Sequence, residues 1–253
     1  MLAELLPEGL TAGIAALLVA ASFFTSALTA TFGLGGGLAM LALLGLFVPA
    51  SALIPVHGAI QLGSNTGRAW HQRAHVRRDI FVPFALGSVV GAVLGVFVVV
   101  QLPDAVMKLA LGGFILAITW ARIPGVEKIG RAGLTAASVV LSVLSMIFGA
   151  TGPLLNAVLA QFMLGDRKAL VATHAATMTA QHLLKVIVFG VAGFAFASWL
   201  PLIAVMIGSG YLGTIYGSRL LDRMPQEAFG FWFRILISAL ALDMLRRGLL
   251  GLF

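Results

Sequence analysis

Apolar stretches long enough to cross a bilayer follow one another along almost the whole chain, and this limits the folds open to it. They cover residues 10–31, 32–48, 52–69, 80–101, 104–121, 132–147, 148–164, 168–190, 196–218 and 228–250. A spanning helix needs about 20 apolar residues. Of the 253 residues, 60% are apolar and 10% charged, where a soluble domain carries about 45–50% and about 25%. That composition excludes a soluble globular protein and a disordered one. The reading is an all-α, polytopic integral membrane protein of about ten helices, with almost nothing left for a soluble domain.

The joints between runs are short and carry the residues expected at helix ends. They include Pro49, the stretch from His71 to Arg78, Leu102-Pro103-Asp104, Ile123-Pro124-Gly125, Gly165-Asp166-Arg167-Lys168 and Arg223-Met224-Pro225. Runs 32–48 and 148–164 are the short ones, and each opens on a glycine-containing break. Re-entrant hairpins compete with spanning helices there. The distribution of basic joints favours spanning, with an unwound start.

The formal charge is +7. Its cations sit in the joints, so the excess reads as membrane topology, not as a nucleic-acid surface. Placing Arg68, Arg73, Arg77 and Arg78 in the cytoplasm puts the N-terminus outside. Counting onward brings Arg122, Lys128, Arg131, Arg167, Lys168, Arg219 and Arg223 inside as well. Lys108, Arg246 and Arg247 fall outside, and Arg234 lies within the last run. The first run reads as a retained helix because Glu4 and Glu8 precede it and the first basic residue is Arg68, whereas a signal peptide needs a basic start. There is no cysteine, so disulfides and thiol chemistry are excluded. No metal or cofactor motif is present. Trp70, Trp120, Trp199 and Trp232 stand near run ends, as interfacial anchors do.

The chain repeats internally. Phe32-Gly33-Leu34-Gly35-Gly36-Gly37-Leu38 aligns with Phe148-Gly149-Ala150-Thr151-Gly152-Pro153-Leu154. After a one-residue adjustment His57 aligns with His174, Arg68 with Lys185 and Gly91 with Gly208, and Pro103 and Pro225 take similar places. Each half, 1–125 and 126–253, holds five runs. An odd number inverts the second half relative to the first, a recurrent plan of secondary transporters.

The third run of each half carries a polar stripe. His57, Gln61, Ser64, Asn65 and Arg68 fall on one helical face, and so do His174, Thr177, Gln181, His182 and Lys185. A stripe of this kind belongs against the bundle interior or a wet cavity. It contains no acid, so amide and imidazole donors with Arg68 and Lys185 suit a small anion better than a cation. Snorkelling of Arg68 and Lys185 to the membrane surface is the structural alternative, and His57 and His174 could serve as interhelical hydrogen-bond glue. His71 and His75 in the basic joint read as solvated. The breaks add candidates: backbone N–H groups of Gly35, Gly36 and Gly37, and of Thr151 and Gly152, at the positive ends of the helices that follow. Thr151 is a possible cap there, and Asn156 adds a donor. The rival functions are a cation channel or carrier, a non-transporting membrane assembly protein and an intramembrane enzyme. The first lacks buried acids, and the last lacks a nucleophile or metal constellation.

These glycine motifs, with Val171-Ala172-Thr173-His174-Ala175-Ala176 and Gln181-His182-Leu183-Leu184-Lys185, resemble the TauE/SafE family of sulfite and organosulfonate transporters over nearly the whole chain. The resemblance implies a multi-pass carrier of the bacterial inner membrane with two related halves. It implies sulfite, organosulfonates or related sulfur oxyanions as substrates, with no enzymatic activity and no cofactor. Two departures bear on substrate identity. Leu41 and Ala42 occupy the region where the family often has a proline, and Thr151-Gly152-Pro153 replaces a second glycine triplet. The expected partners are the anion and the lipid bilayer, with a homodimer among the open oligomeric states.

Overall fold

The computed structural model describes residues 6–7, 9–32, 35–96, 102–121, 129–220 and 226–252. Among the described residues, ten α-helices coincide with the ten apolar runs. They are α1 (Ala12–Phe32), α2 (Gly36–Phe47), α3 (Ala50–His71), α4 (Arg78–Val96), α5 (Asp104–Trp120), α6 (Arg131–Phe148), α7 (Gly152–Ala160), α8 (Arg167–Val191), α9 (Leu200–Leu220) and α10 (Gln226–Leu250), with α2 and α7 covering only part of their runs. Short 3-10 turns cover Arg73–His75 and Phe196–Trp199. Gly33, Arg122, Lys128, Arg223 and Pro225 lie outside the described residues.

Four segments, Ala12–Thr31, Arg78–Gly95, Arg131–Phe148 and Phe196–Arg219, are long and apolar enough to cross a membrane by length and composition. They turn large apolar side chains outward, among them Leu86, Val93, Val205 and Leu212. Patches of this kind suit a lipid surface. Trp70, Trp120 and Trp232 are exposed, whereas Trp199 is buried in the core, so packing claims one of the four expected anchors.

The short runs become half-helices. At 1.5 Å per residue, the 12 residues of α2 and 9 of α7 extend about 18 Å and about 14 Å, against about 30 Å of hydrocarbon. Neither crosses the core by itself. Each is cut short where the sequence breaks. Gly35 precedes α2 with φ +98°, and Gly149 follows α6 with φ +79°. Left-handed backbone of this kind is cheap only for glycine. α2 is apolar all round and sits inside, with Leu38, Met40, Leu41 and Leu44 fully covered.

The most extensive helix pairs are α1 with α9, α4 with α6, α5 with α10 and α3 with α8. Glycine lets the first two approach closely. A Cβ on Gly213 or Gly217 would run into the α1 backbone at Phe23 and Ala27, and one on Gly87 or Gly91 into the α6 backbone at Thr135 and Val139. Hydroxyls then tie α1 to α9: Ser22 donates to the Met206 carbonyl (2.7 Å), Ser209 to that of Val19 (2.8 Å) and Thr31 to that of Gly217 (3.0 Å). Gly208, aligned with Gly91 from the sequence, faces open space.

Candidate functional site

α3 and α8 lie against each other, which brings the two polar stripes together inside the bundle. Amphipathicity alone places each stripe on one face, and the pairing buries both. His57, Asn65, Arg68, His182 and Lys185 are all at most 3% exposed. Arg68 and Lys185 therefore do not snorkel. His71 and His75 are exposed, as the basic joint predicts.

Between the helices lies a cavity of about 30 Å³ lined on one side by Gly35, Gly37, His57, Gln61, Asn65 and Arg68, and on the other by Ala150, Gly152, Pro153, His174, Met178 and His182. That volume holds about one water molecule, so the described state is closed. Thr29 of α1 and Leu38 complete the wall. Among the described residues, the lining contains one cation and no carboxylate.

Hydrogen bonds order the α3 side. Arg68 Nη2 donates to Asn65 Oδ1 (2.8 Å), and Asn65 Nδ2 donates to the Gln61 carbonyl (2.8 Å). The Gln61 amide rests on Gly37, where a Cβ would come within 3.2 Å of its nitrogen. His57 Nε2 donates to the Gly37 carbonyl (2.9 Å), and His174 Nε2 donates to that of Gly152 (3.2 Å). Each half-helix is thus held at its first turn by a histidine from the following long helix. Among the described residues, three buried nitrogens have no partner: His57 Nδ1, His182 Nδ1 and Arg68 Nη1. The His57 and His182 rings meet edge to face, 5.8 Å between centroids. Unpaired buried polar atoms are costly, and these three belong to residues that line one cavity.

Nine of the fourteen candidate residues line this cavity: Gly35, Gly37, His57, Gln61, Asn65, Arg68, Gly152, His174 and His182. The other five stand elsewhere. Gly36 is pressed on α1, where a Cβ would meet the Thr25 carbonyl and the Thr29 hydroxyl. Thr151 occupies the N-cap position of α7 but makes no side-chain cap; its hydroxyl donates to Gln181 Oε1 (3.4 Å) instead. Gln181 spends its own N–H on Ser142 Oγ (2.9 Å). Asn156 is half-buried on α7, outside the lining. Lys185 Nζ donates to the Gly149 carbonyl (2.5 Å).

Sequence reasoning missed Thr29 and Ser142. The signal was present: Ser22, Ser26 and Thr29 recur at i, i+4 and i+7 on α1, and Ser138, Ser142 and Ser145 do so on α6, all six buried. Isolated hydroxyls inside apolar runs do not interrupt them, which is why they passed as ordinary helix.

No curated protein and no solved structure matches the chain. The family described as Sulfite exporter TauE/SafE matches residues 18–244, from within α1 to within α10 and across both half-helices and both stripes. The chain is therefore a multi-pass membrane protein and belongs to the sulfite exporter TauE/SafE family.

Proposed function

We propose that the protein is a secondary transporter that moves a small anion across the bacterial inner membrane by alternating access. The anion is sulfite, an organosulfonate or a related sulfur oxyanion, the class the family description names. The observation that carries this reading is the closed cavity, in which Arg68 and two histidines present unpartnered nitrogens and no acid is present. A guanidinium with free N–H groups is the donor best matched to a planar or pyramidal oxyanion. A cation would meet only positive and neutral groups there.

Two inverted five-helix repeats, 1–125 and 126–253, supply the moving parts. The helix pairing supports this. Exchanging each helix with the one five places on turns the α1–α9 pair into α6–α4 and α3–α9 into α8–α4, and leaves α3–α8 and α5–α10 unchanged; all are packed pairs. The hydroxyl stripes support it too. Ser22, Ser26 and Thr29 stand at the same offset from Ser138, Ser142 and Ser145 as Phe32 from Phe148. The contact of Ser26 with Ser64 (3.1 Å) has its counterpart in that of Ser142 with Gln181.

The tautomer of His57 supports proton coupling. His57 donates through Nε2 to a carbonyl, so in the neutral ring Nδ1 carries a lone pair and repels an anion. It becomes a donor only on gaining a proton. Anion and proton then bind together.

Uptake of radiolabelled sulfite into proteoliposomes tests the reading, with unlabelled sulfonates, thiosulfate and sulfate as competitors. Saturable uptake competed by one of them is expected. Folded protein with no flux above empty liposomes would refute transport of this class and favour the assembly-protein reading. His57→Gln keeps a hydrogen-bonding side chain but cannot titrate. It should flatten the pH dependence of uptake without unfolding the protein, and an unchanged pH profile would sink the coupling.

A further inference from the structure

A second cavity, of about 670 Å³, opens where α3 and α5 begin and α8 ends. Its lining includes Ile54, Pro55, Met146, Ile147, Phe189 and Trp199, with Ser51 and Ser198 at exposed positions. It is wide enough for a solvated anion and approaches the closed cavity along three segments at once. On α3, Ile54 and Pro55 line the wide cavity and His57 the closed one. On α8, Phe189 lines the first and His182 the second. Around the break after α6, Ile147 lines the first and Ala150 the second. On α8 and around the break after α6, one contact lies between the two sets: Lys185 Nζ on the Gly149 carbonyl, its stem crossing α3 at Gly58, next to His57. A Cβ on Gly58 would fall 2.8 Å from Lys185 Cδ.

We propose that Lys185 gates and selects on the access path, separating the wide cavity from the anion site. Lys185 is fully buried, and no carboxylate pairs with it among the described residues. A backbone carbonyl offers only a partial negative charge, so an arriving anion is the better partner for the ammonium. The anion draws Nζ off Gly149, the stem leaves Gly58, and the path opens. A cation has nothing to offer Nζ and leaves the gate shut. Selection thus acts before the anion reaches Arg68. The inference extends the transport reading by naming where passage is controlled.

The absence of native cysteine makes thiol labelling a clean test on the full-length protein. Ser198→Cys reports the wide cavity and Ala150→Cys the closed one. Each is reacted with membrane-impermeant methanethiosulfonates carrying either a sulfonate or a quaternary ammonium. Rates at Ala150→Cys are normalised to those at Ser198→Cys. With Lys185 present, the anionic reagent should lead the cationic one by about tenfold or more. Lys185→Met should bring the two within about threefold, and Lys185→Arg, which keeps the charge, should preserve the preference. Equal preference with Lys185 and with Met would overturn the gate. If Lys185→Met does not run as a single species on size exclusion, Gly58→Ala decides. It displaces the stem and should change the Ala150→Cys rate by at least about threefold, and an unchanged rate overturns the gate. Labelling requires no sulfite. A lysine-dependent preference without sulfite flux keeps the gate and removes the substrate assignment. Flux without that preference does the reverse.

Discussion

Replacing Arg68 with methionine is expected to lower sulfite uptake by about 30-fold or more, with thermal stability unchanged or raised. Removing one partner of a buried charge pair costs about 2–5 kcal/mol of binding, and about 1.4 kcal/mol is tenfold. Among the described residues, Arg68 is the only cation lining the closed cavity, and its Nη1 has no partner. Its role in the empty protein is unfavourable. A charged side chain within a membrane helix costs about 2.5–3.5 kcal/mol on insertion scales. Against this, the Arg68–Asn65 hydrogen bond, from a charged donor, contributes about 1.5–3 kcal/mol. Methionine fills similar space without the charge. Lysine should fall between the two in uptake, because it keeps the charge but loses the forked donor geometry. Uptake by Arg68→Met within threefold of the parent protein would remove Arg68 from the site. A loss of uptake accompanied by a lower unfolding midpoint would mark it as structural.

The second large effect is on folding. Gly217→Leu should lower stability by about 3–5 kcal/mol, a large part of a typical 5–15 kcal/mol total. Overpacking that side chains can absorb costs about 1–3 kcal/mol. At Gly217 the obstacle is the backbone of Ala27, so α1 and α9 must separate. Separation also strains hydrogen bonds such as that from Thr31 to the Gly217 carbonyl, each worth about 1 kcal/mol. Gly208→Leu is the matched control. That position is exposed and a Cβ there meets nothing within 4 Å, so its cost should stay within about 0.5 kcal/mol. Thermal unfolding in detergent, followed by light scattering, separates the two. Equal midpoints would mean that the α1–α9 seam yields more readily than its geometry indicates.

These two residues show where sequence is informative and where it stops. The ten helices are legible because lipid demands long apolar segments with internally satisfied backbones. Their ends are legible because Pro49, Pro103, Gly149 and Asp166 cap or break the chain for local reasons. Arg68 is different. It stands three residues from the end of α3, where the same sequence serves a snorkelling side chain or a buried one. Only the packing of α8 and α9 against α3 decides it. Lys185 is the sharper case. Its place in the stripe was visible, but its partner lies 36 residues away, on a carbonyl that any residue could offer. Gln181 and Thr151 had the right chemistry for an anion, yet they are satisfied by Ser142 and by each other.

The sequence by itself determined the class of the protein, the places of its long helices, and the face of α3 and α8 that had to be hidden. These are properties of segments, fixed by hydrophobic length, helical period and turn residues. The tertiary structure decided which polar groups remain unpaired. Hydrogen-bond satisfaction belongs to pairs of groups from different helices. That is why His57, Arg68 and His182 are left facing one cavity while their neighbours on the same stripe are not.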